Sequence, residues 1–569
     1  MNYLKIIISF IALSAMVACQ KDYLERYPLD TVSEGVFFNQ VSDMKIYMNQ
    51  FYNRGNFPIV EYNTRADLSS DINMTDATIN TRLRGTNTIN SGGNFDYTDI
   101  RAVNYFLENY KKCDADFETY KQYVGEAYFF RAFFYFGELK MFGGVPWIPF
   151  VLKTTSPELY SAREPRNVIA DNIIADLDTA AMYLSADKTN GCSRINKWIA
   201  LLYQSRVALY EGTWEKYHNG TAFGVSNAQP AKYFNKAAEA ASAVMNSGLY
   251  DVYSTGKPES DYFDFFGLRD YSSNKEVLFW VQTSVALNIT TPSTLYHLQF
   301  PEQHGLTKSL ADSYLCKDGV PIATSPLFKG YANIVDETTD RDPRFKQTIF
   351  TPDAVWYNNN GKITYWSECY AKLFTTAGLT PPTGYTRRKS YNPNVAYHSQ
   401  SGEEAPSILF RYAEVLLNYA EAKAELGTIT QGDIDISIKK LRNRVGMPNL
   451  TLAGIPTDPN WDFPTLSPVI NEIRRERKIE LCLENLRLDD IMRWAAADEL
   501  IIGKRPKGAT KSQFTKKPSY PADEKGFIDV FQVAMPNGWQ FNPGRDYLYP
   551  VSESQIVLNP NLTQNPGWE

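Results

Sequence analysis

The chain has 569 residues, of which 43% are hydrophobic, and its formal net charge is −6. This is enough material for a large buried core, and the lack of any long basic run excludes the electrostatic pattern of nucleic-acid-binding proteins. The six cysteines form no C-x-x-C pair, which excludes zinc-ribbon and thioredoxin-like sites and predicts isolated, mostly buried thiols.

An apolar run near the N-terminus predicts an export signal. Lys5 precedes residues 6–18, which would form about 20 Å of helix, too short for a bilayer core. The run ends in Met16-Val17-Ala18-Cys19, which resembles the lipobox of bacterial lipoproteins, although leucine is usual where Met16 stands. We expect Cys19 to be the lipidated first residue of the mature chain. The alternative is a chance cysteine behind an ordinary signal.

Helical periodicity dominates residues 101–250. Apolar positions repeat every three or four residues, which predicts helices over 101–112, 120–142, 165–184, 194–214 and 230–250. The second helix is aromatic on nearly all sides, which is typical of a buried helix, and Gly143-Gly144 followed by Pro146 predicts its end.

The middle of the chain, about 250–405, has a different character. It is rich in Gly, Pro, Asn, Thr and aromatic residues, with weak helical periodicity. The stretch 355–366 predicts a β-hairpin because an Asn-Gly turn is flanked by aromatic and β-branched residues, and 275–284 predicts a short buried strand. We expect an irregular, loop-rich layer on a helical scaffold, the kind of region that often carries function.

Helical patterns return in the C-terminal part. Helices over 408–427 and 433–448, with alanines at close-packing points, are typical of a tetratricopeptide unit, although no strict 34-residue period runs through the chain. A long helix over 469–500, with a break near Asn485, carries Glu476, Glu480 and Glu484 among arginines. Opposite charges at this spacing favour structural ion pairs over catalysis.

Sequence motifs of catalysis and cofactor binding are missing. No H-E-x-x-H, G-x-S-x-G, Walker A, EF-hand or G-x-G-x-x-G pattern occurs, and His297 and His304 are more typical of polar loop residues than of a metal pair. We therefore expect a protein that is not an enzyme and binds no cofactor or metal. A pair of Asp or Glu side chains assembled from distant loops, as in a glycosidase, is the alternative that the sequence leaves open.

Five blocks stand out along the chain: "CQKDYLERYPLDTVSEGVFF", "GEAYFFRAFFYFGELKMFGGVPWI", "SILFRYAEVLLNYAEAKAELG", "INEIRRERKIELCLENLRLDDIMRW" and "YLYPVSESQIVLNPNLTQNPGW". Together they resemble the SusD/RagB family of outer-membrane lipoproteins of Bacteroidetes-type bacteria. They occur in the family's order over nearly the whole chain, with Ser552 in place of a common proline and with Cys482 and Asn485 inside the arginine-rich block.

The resemblance implies a mainly α fold, an α-α superhelical scaffold with tetratricopeptide-like helix pairs and a loop-rich ligand face containing short β-hairpins. It implies a division into a lipoprotein signal peptide (1–18), an N-terminal helical region (19–250), a loop-rich ligand-binding region (251–405) and a C-terminal helical region (406–569). It also implies a non-catalytic, surface-exposed receptor, held on the outer membrane by its lipid anchor, that delivers oligosaccharide to a SusC-like TonB-dependent transporter.

Residue types suggest where a sugar would bind, because a sugar ring needs flat aromatic side chains beside polar ones. The hairpin offers Trp356, Tyr357 and Trp366 next to Asn358, and Tyr296 stands in a predicted loop. A polar stretch that resembles the family's ligand-side loop adds Asp71 and Arg82. The family often has a tryptophan after that loop, whereas this chain has none between 51 and 146, so Phe95 or Tyr97 would have to substitute.

Three other functions are carried as alternatives. The same receptor could take peptides or glycopeptides, the protein could be a surface glycoside hydrolase, or it could be a tetratricopeptide scaffold that binds only proteins. Core packing is the competing explanation for each aromatic residue of the predicted site.

Overall fold

A computed structural model describes residues 37–569 except 54–56, 58–65, 69, 76–79, 189–193, 292–294, 296–297, 299–303 and 400–401. The helices are α1 (Val41–Asn49), α2 (Thr98–Asn109), α3 (Phe117–Phe142), α4 (Arg166–Tyr183), α5 (Lys197–Tyr217), α6 (Pro230–Asn246), α7 (Asp261–Phe266), α8 (Lys308–Ser313), α9 (Ile334–Thr338), α10 (Arg344–Thr348), α11 (Ser367–Tyr370), α12 (Tyr412–Glu425), α13 (Gln431–Ile436), α14 (Ile438–Arg444), α15 (Pro468–Glu480), α16 (Arg487–Arg493), α17 (Ala497–Leu500) and α18 (Glu553–Leu558). The strands are β1 (Asn73–Thr75), β2 (Val277–Val281), β3 (His304–Leu306), β4 (Val355–Asn359), β5 (Lys362–Tyr365) and β6 (Ser407–Arg411).

The predicted mainly α fold is confirmed. Helices α3, α4, α5 and α6 pack one against the next, and α6 also packs on α12, which packs on α15. The N-terminal and C-terminal helices therefore share one hydrophobic core. No helix within the described ranges is long and apolar enough to cross a membrane.

The aromatic helix α3 is buried on several faces, as its composition predicts. Phe129, Phe130 and Phe136 are each at most 1% exposed. The Asp116 carboxylate accepts a hydrogen bond from the backbone N–H of Glu118 and caps the start of the helix. The helix ends at Gly143, whose φ of 74° favours glycine.

Three pairs of short antiparallel strands interrupt the helical scaffold: β1 with β3, β2 with β6, and β4 with β5. The predicted hairpin is confirmed as β4–β5, and Asn360 and Gly361 both have positive φ at its turn. The helix predicted from residue 408 instead begins at Tyr412. Residues 407–411 form β6, because Ile408 and Phe410 pair with Trp280 and Phe279 of β2.

The two other helices predicted in the C-terminal part are each interrupted in the structure. The stretch 433–448 overlaps α13 and α14, and Ser437 between them has a non-helical conformation. The stretch 469–500 contains α15, α16 and α17, and the predicted break near Asn485 is confirmed, since Leu483 and Asn485 have φ of 65° and 60°. Asp67 holds this break: its carboxylate accepts hydrogen bonds from the backbone N–H of Leu483 and of Arg487.

The loop-rich middle region has a hydrophobic core of its own. Tyr314, Phe345, Trp366 and Tyr391 lie in this second core, together with Leu483 from the break after α15. The four cysteines of the described ranges, Cys113, Cys316, Cys369 and Cys482, are buried free thiols, as predicted.

A buried carboxylate connects the loop-rich region to the helices. The Glu480 carboxylate lies 3.1 Å from Arg344, 2.7 Å from Arg411 and 2.6 Å from Arg444, and all four side chains are at most 2% exposed. Burial alone raises the pKa of Glu480, but the three guanidinium charges outweigh it and hold the pKa well below its usual value.

Further ion pairs extend this contact into a network of alternating charges. The predicted structural role of the Glu476, Glu480 and Glu484 ladder is thus confirmed. The additional pairs are Arg344 with Asp342 and Glu476, Arg442 with Glu472 and Glu476, Arg411 with Glu276 and Glu484, Arg444 with Glu276, and Lys389 with Glu484.

Substitution of Glu480 by Gln should destabilise the protein strongly. The amide keeps the shape of the side chain but removes the charge that compensates three desolvated arginines, so we expect the free energy of unfolding to fall by about 3–5 kcal/mol in urea denaturation. Glu259→Gln is the matched control, because Glu259 pairs with Lys317 at 3.0 Å on the surface, where the two side chains are 66% and 48% exposed. It should change stability by less than about 1 kcal/mol, and equal effects of the two substitutions would contradict the assigned role of the network.

Candidate ligand-binding site

The two hairpin tryptophans predicted to bind a ligand lie in the second core. Trp366 is 1% exposed and stacks on Phe350, with ring centroids 4.1 Å apart and an interplanar angle of 16°. Trp356 is 9% exposed and meets Trp366 edge-on at 5.4 Å. Because their ring faces are covered by neighbouring side chains, the positions of both tryptophans do not support stacking on a sugar.

The hairpin partners of these tryptophans have structural contacts as well. Tyr357 is half-buried, with its ring 4.3 Å from that of Trp356. The side-chain oxygen of Asn358 accepts a hydrogen bond from the backbone N–H of Gly361 at 2.9 Å and so stabilises the turn. Tyr365 is the hairpin aromatic that is half exposed.

Asp71 and Arg82 are buried in interactions with other parts of the chain. The Asp71 carboxylate pairs with Arg487 at 2.7 Å and with Lys478 at 3.3 Å. Burial alone raises its pKa, but these two cations outweigh that effect and lower it. Arg82 donates hydrogen bonds to the carbonyl oxygens of Asp546 and Tyr547. Each of these two side chains therefore joins segments that are far apart in the sequence, and their positions do not support contact with a ligand.

Phe95 and Tyr97, the predicted substitutes for the family's tryptophan, contact the C-terminal end of α3 and the segment that follows it. Phe95 is 8% exposed and packs on Phe142, and the Tyr97 hydroxyl donates to the carbonyl oxygen of Pro146. The two remaining predicted site residues, Tyr296 and Cys19, lie outside the described residues.

A cleft of about 430 Å³, here called the central cleft, combines aromatic and charged side chains. Its size falls within the usual range of ligand-binding pockets. Segments that are distant in sequence form it: Phe57, the 94–99 segment, α3, Tyr203 and Arg206 of α5, the 266–271 segment, Leu295, the 389–392 loop, β6 with the residues before it, and the chain from Leu483 to Asp489.

Aromatic rings of α3 and β6 line one part of the central cleft. Phe133 and Phe134 are half-buried, and Phe410 is buried beside them. Phe133 is held edge-on against Phe57 at 5.0 Å. Fixed rings of this kind offer apolar faces at little cost in side-chain entropy.

Charged groups line other parts of the central cleft. Lys140 pairs with Asp489 at 2.8 Å, with both side chains about 30% exposed. Arg269 stacks over the ring of Tyr397 at 3.9 Å, and its Nε–H has no acceptor among the described residues. The stacking on Tyr397 therefore fixes the orientation of the Arg269 guanidinium in the wall of the cleft.

Glu138 is an unusual carboxyl group in the wall of the central cleft. It lies on α3 and is 8% exposed; one oxygen accepts a hydrogen bond from the backbone N–H of Asp96 at 3.4 Å, and the other has no partner within the described ranges. Burial raises the pKa of Glu138 from 4.5 to about 8. The group is thus mainly a neutral acid at pH 7. The sequence does not distinguish it from Glu118 and Glu126, the other two glutamates of α3.

Comparison with known proteins identifies the family. A SusD family model matches residues 293–568, and a model described as "Starch-binding associating with outer membrane" matches residues 29–209. Together the two matches span most of the chain. The chain belongs to the SusD/RagB family.

Relatives and solved structures agree with this assignment to the SusD/RagB family. The chain is 24% identical to SusD-like protein P2 of Formosa agariphila over 490 residues, which is 83% of this chain and 79% of that protein. A SusD-like protein of Bacteroides fragilis has the same fold, with a TM-score of 0.71, 23% identity and coverage of 95% and 100% of the two chains. A SusD-like carbohydrate binding protein of the same species matches with a TM-score of 0.69, 23% identity and coverage of 93% and 100%.

The raised pKa of Glu138 predicts a pH-dependent stability. Between pH 4.5 and 8 the unfolded chain releases this proton and the folded protein keeps it, so the contribution of Glu138 to stability is lost as the pH rises. Glu138→Gln mimics the neutral acid and cannot ionise. The free energy of unfolding of the variant minus that of the wild type should therefore increase by about 2–4 kcal/mol between pH 5 and pH 8.

Urea denaturation at a series of pH values measures this difference. Parallel stability curves of the two proteins over this range would contradict the raised pKa.

Proposed function

We propose that the protein is a cell-surface, glycan-binding lipoprotein of the outer membrane that captures oligosaccharide and delivers it to a SusC-like TonB-dependent transporter. The observation that carries the proposal is the central cleft, in which aromatic rings of α3 lie beside charged side chains in a chain of the SusD/RagB family. The description of the matched family model, which names starch binding and outer-membrane association, supports it.

The chemistry of the central cleft suits a glycan. The C–H faces of a sugar ring pack against aromatic rings such as Phe134, and its hydroxyl groups exchange hydrogen bonds with side chains such as Arg269. A peptide ligand would use the same groups, since backbone amides also need donors and acceptors beside apolar pockets. Peptide or glycopeptide uptake is therefore the alternative ligand class for the same receptor role.

One observation favours a second candidate function, glycoside hydrolysis. Glu138 has the raised pKa of a general acid, and it lies beside Asp96, whose carboxyl group also lines the cleft. A retaining or inverting glycosidase needs two such groups at the scissile bond. However, the unpartnered oxygen of Glu138 is covered by protein atoms, whereas a general acid must reach the glycosidic oxygen. Binding without hydrolysis is therefore the function that we favour.

The N-terminal segment supports the proposed location. The apolar run 6–18 followed by Cys19 suits export and lipid attachment. A multiply acylated cysteine is a durable anchor, since each buried CH₂ contributes about 0.8 kcal/mol. The polar residues after Cys19 would then connect the anchor to the helical body.

Glycan binding should depend on the central cleft and not on the hairpin. Purified protein is tested on an oligosaccharide array, and the affinity for the best ligand is measured by calorimetry. Phe134→Ala removes an apolar face and Arg269→Met removes the guanidinium that lines the cleft, so we expect each to weaken binding about tenfold, the equivalent of one to two contacts of roughly 1 kcal/mol. Tyr365→Ala is the matched control, because this ring is exposed on the hairpin and does not line the cleft.

The outcomes separate the candidate functions. Binding without product, weakened by the cleft variants alone, supports the proposal, and product formation by the wild-type protein favours the hydrolase. Peptide binding with no glycan binding favours the alternative ligand. Thermal unfolding of each variant distinguishes a lost contact from a lost fold.

Cys19→Ala should release the protein from the cell surface, because no acyl chain can then be attached. Protease treatment of intact cells and immunoblotting of the medium measure the change. Retention of the Cys19→Ala protein on intact cells at the wild-type level would count against the lipid anchor.

A further inference from the structure

A second cleft, of about 380 Å³, lies between the α8–α9 region and the segment that precedes α15. Its residues contribute nothing to the central cleft. The second cleft is defined here by Asp312, Phe328 and Tyr331 on one side and by Asn460, Trp461 and Asp462 on the other.

Aromatic side chains lie on both sides of the second cleft. Phe328 and Tyr331 are half-buried and meet edge-on at 5.0 Å, and the Tyr331 hydroxyl donates a hydrogen bond to Asp312 at 3.0 Å. Trp461 is half-buried on the opposite side. Rings held in place on two walls can pack against both faces of a flat or ring-shaped ligand.

Trp461 is presented by a turn that a buried ion pair fixes. The Asp458 carboxylate pairs with Arg475 at 2.6 Å, with both side chains about 10% exposed, and also accepts a hydrogen bond from the backbone N–H of Asn460. The backbone N–H of Trp461 donates to the carbonyl oxygen of Asp458. This arrangement sets the position of the indole before any ligand arrives, which lowers the entropic cost of binding.

Charges in the second cleft are balanced by the protein itself. Each charged side chain that lines it has an oppositely charged partner: Asp312 with Lys308, Asp458 with Arg475, Asp462 with Lys478, Arg474 with Glu425, and Arg487 with Asp71. A phosphate, a nucleotide or a cationic group would have to break one of these pairs. The electrostatics therefore favour a neutral ligand.

Hydrogen-bonding groups are nevertheless accessible on Asn460 and Asp462. The indole N–H of Trp461 has no acceptor among the described residues, but it is covered by protein atoms. One oxygen of Asp462 lies 3.4 Å from Lys478, while its other oxygen has no recorded partner in the part of the chain that the structure describes, and Asn460 is exposed. Donors and acceptors thus stand side by side around aromatic rings, which is the requirement of a ligand with several hydroxyl groups.

We propose that the second cleft binds a neutral saccharide unit, with its ring packed against Trp461 and its hydroxyl groups hydrogen-bonded to Asp462 and Asn460. This site is additional to the central cleft and does not depend on glycan binding there. Two saccharide sites on one chain would raise the avidity for a polymer long enough to reach both.

The test uses the NMR signal of the Trp461 indole N–H as a reporter of a ligand packed against the ring. The full-length protein is labelled with ¹⁵N-tryptophan, and the Trp461 signal is assigned as the one that disappears in Trp461→Phe. Glucose, galactose, mannose, xylose and N-acetylglucosamine are then added separately at millimolar concentrations, together with glucuronate as a charged comparison.

At least one neutral sugar should shift the Trp461 signal in a saturable way, and glucuronate should shift it with at least fivefold weaker affinity. Asp462→Asn should weaken the neutral sugar at least threefold, because the amide replaces an acceptor oxygen by a donor. Phe134→Ala, in the central cleft, should leave this titration unchanged even if it abolishes oligosaccharide binding elsewhere, so the two sites can fail independently.

Three results would overturn the inference. The first is that no neutral sugar shifts the Trp461 signal in a saturable way. The other two are a shift that disappears in Phe134→Ala and an affinity for glucuronate as high as that for the neutral sugars. Circular dichroism of the Asp462→Asn and Trp461→Phe proteins confirms that each variant is folded.

Discussion

A carboxylate surrounded by three buried arginines is the contact on which the rest of the structure depends. Removing a charge from water costs several kcal/mol, and the cost is offset only when partners of opposite charge are in place. Arg344 comes from the loop-rich region, Arg411 from the end of β6 and Arg444 from α14, while Glu480 ends α15. Their meeting point therefore fixes how the loop-rich region sits on the helical scaffold.

The same network shapes the central cleft. Lys389 and Glu484 belong both to the network and to the cleft lining, and the chain between α15 and α16 follows directly after Glu480. Leu483 adopts a positive φ there, a strained conformation for a branched side chain, and the hydrogen bonds from the backbone to Asp67 hold it. The geometry of the cleft thus results from buried electrostatics behind it as well as from the aromatic rings of α3.

Sequence patterns predicted the features that depend on neighbouring residues. The periodicity of α3, the Asn360-Gly361 turn and the alternation of Glu and Arg on α15 each express a local rule. Strand β6 was missed because its partner, β2, lies more than a hundred residues earlier, and its apolar residues fit a helix equally well. Composition also does not reveal whether a ring fills a core, as Trp356 and Trp366 do, or faces water. Neither cleft could be predicted, since each is assembled from segments that are far apart in the chain.

The charge network also joins residues that are far apart in the sequence. Arg411 and Glu276 are 135 residues apart, and Arg344 and Glu476 are 132 apart. A chain that ended at residue 405 would lack Arg411, Arg444 and Glu480. Arg344 would then keep Asp342 but lose Glu476 and Glu480, and Glu276 would lose both of its arginines. The middle and C-terminal parts are therefore not interchangeable modules, because charges of one part complete the buried ion pairs of the other.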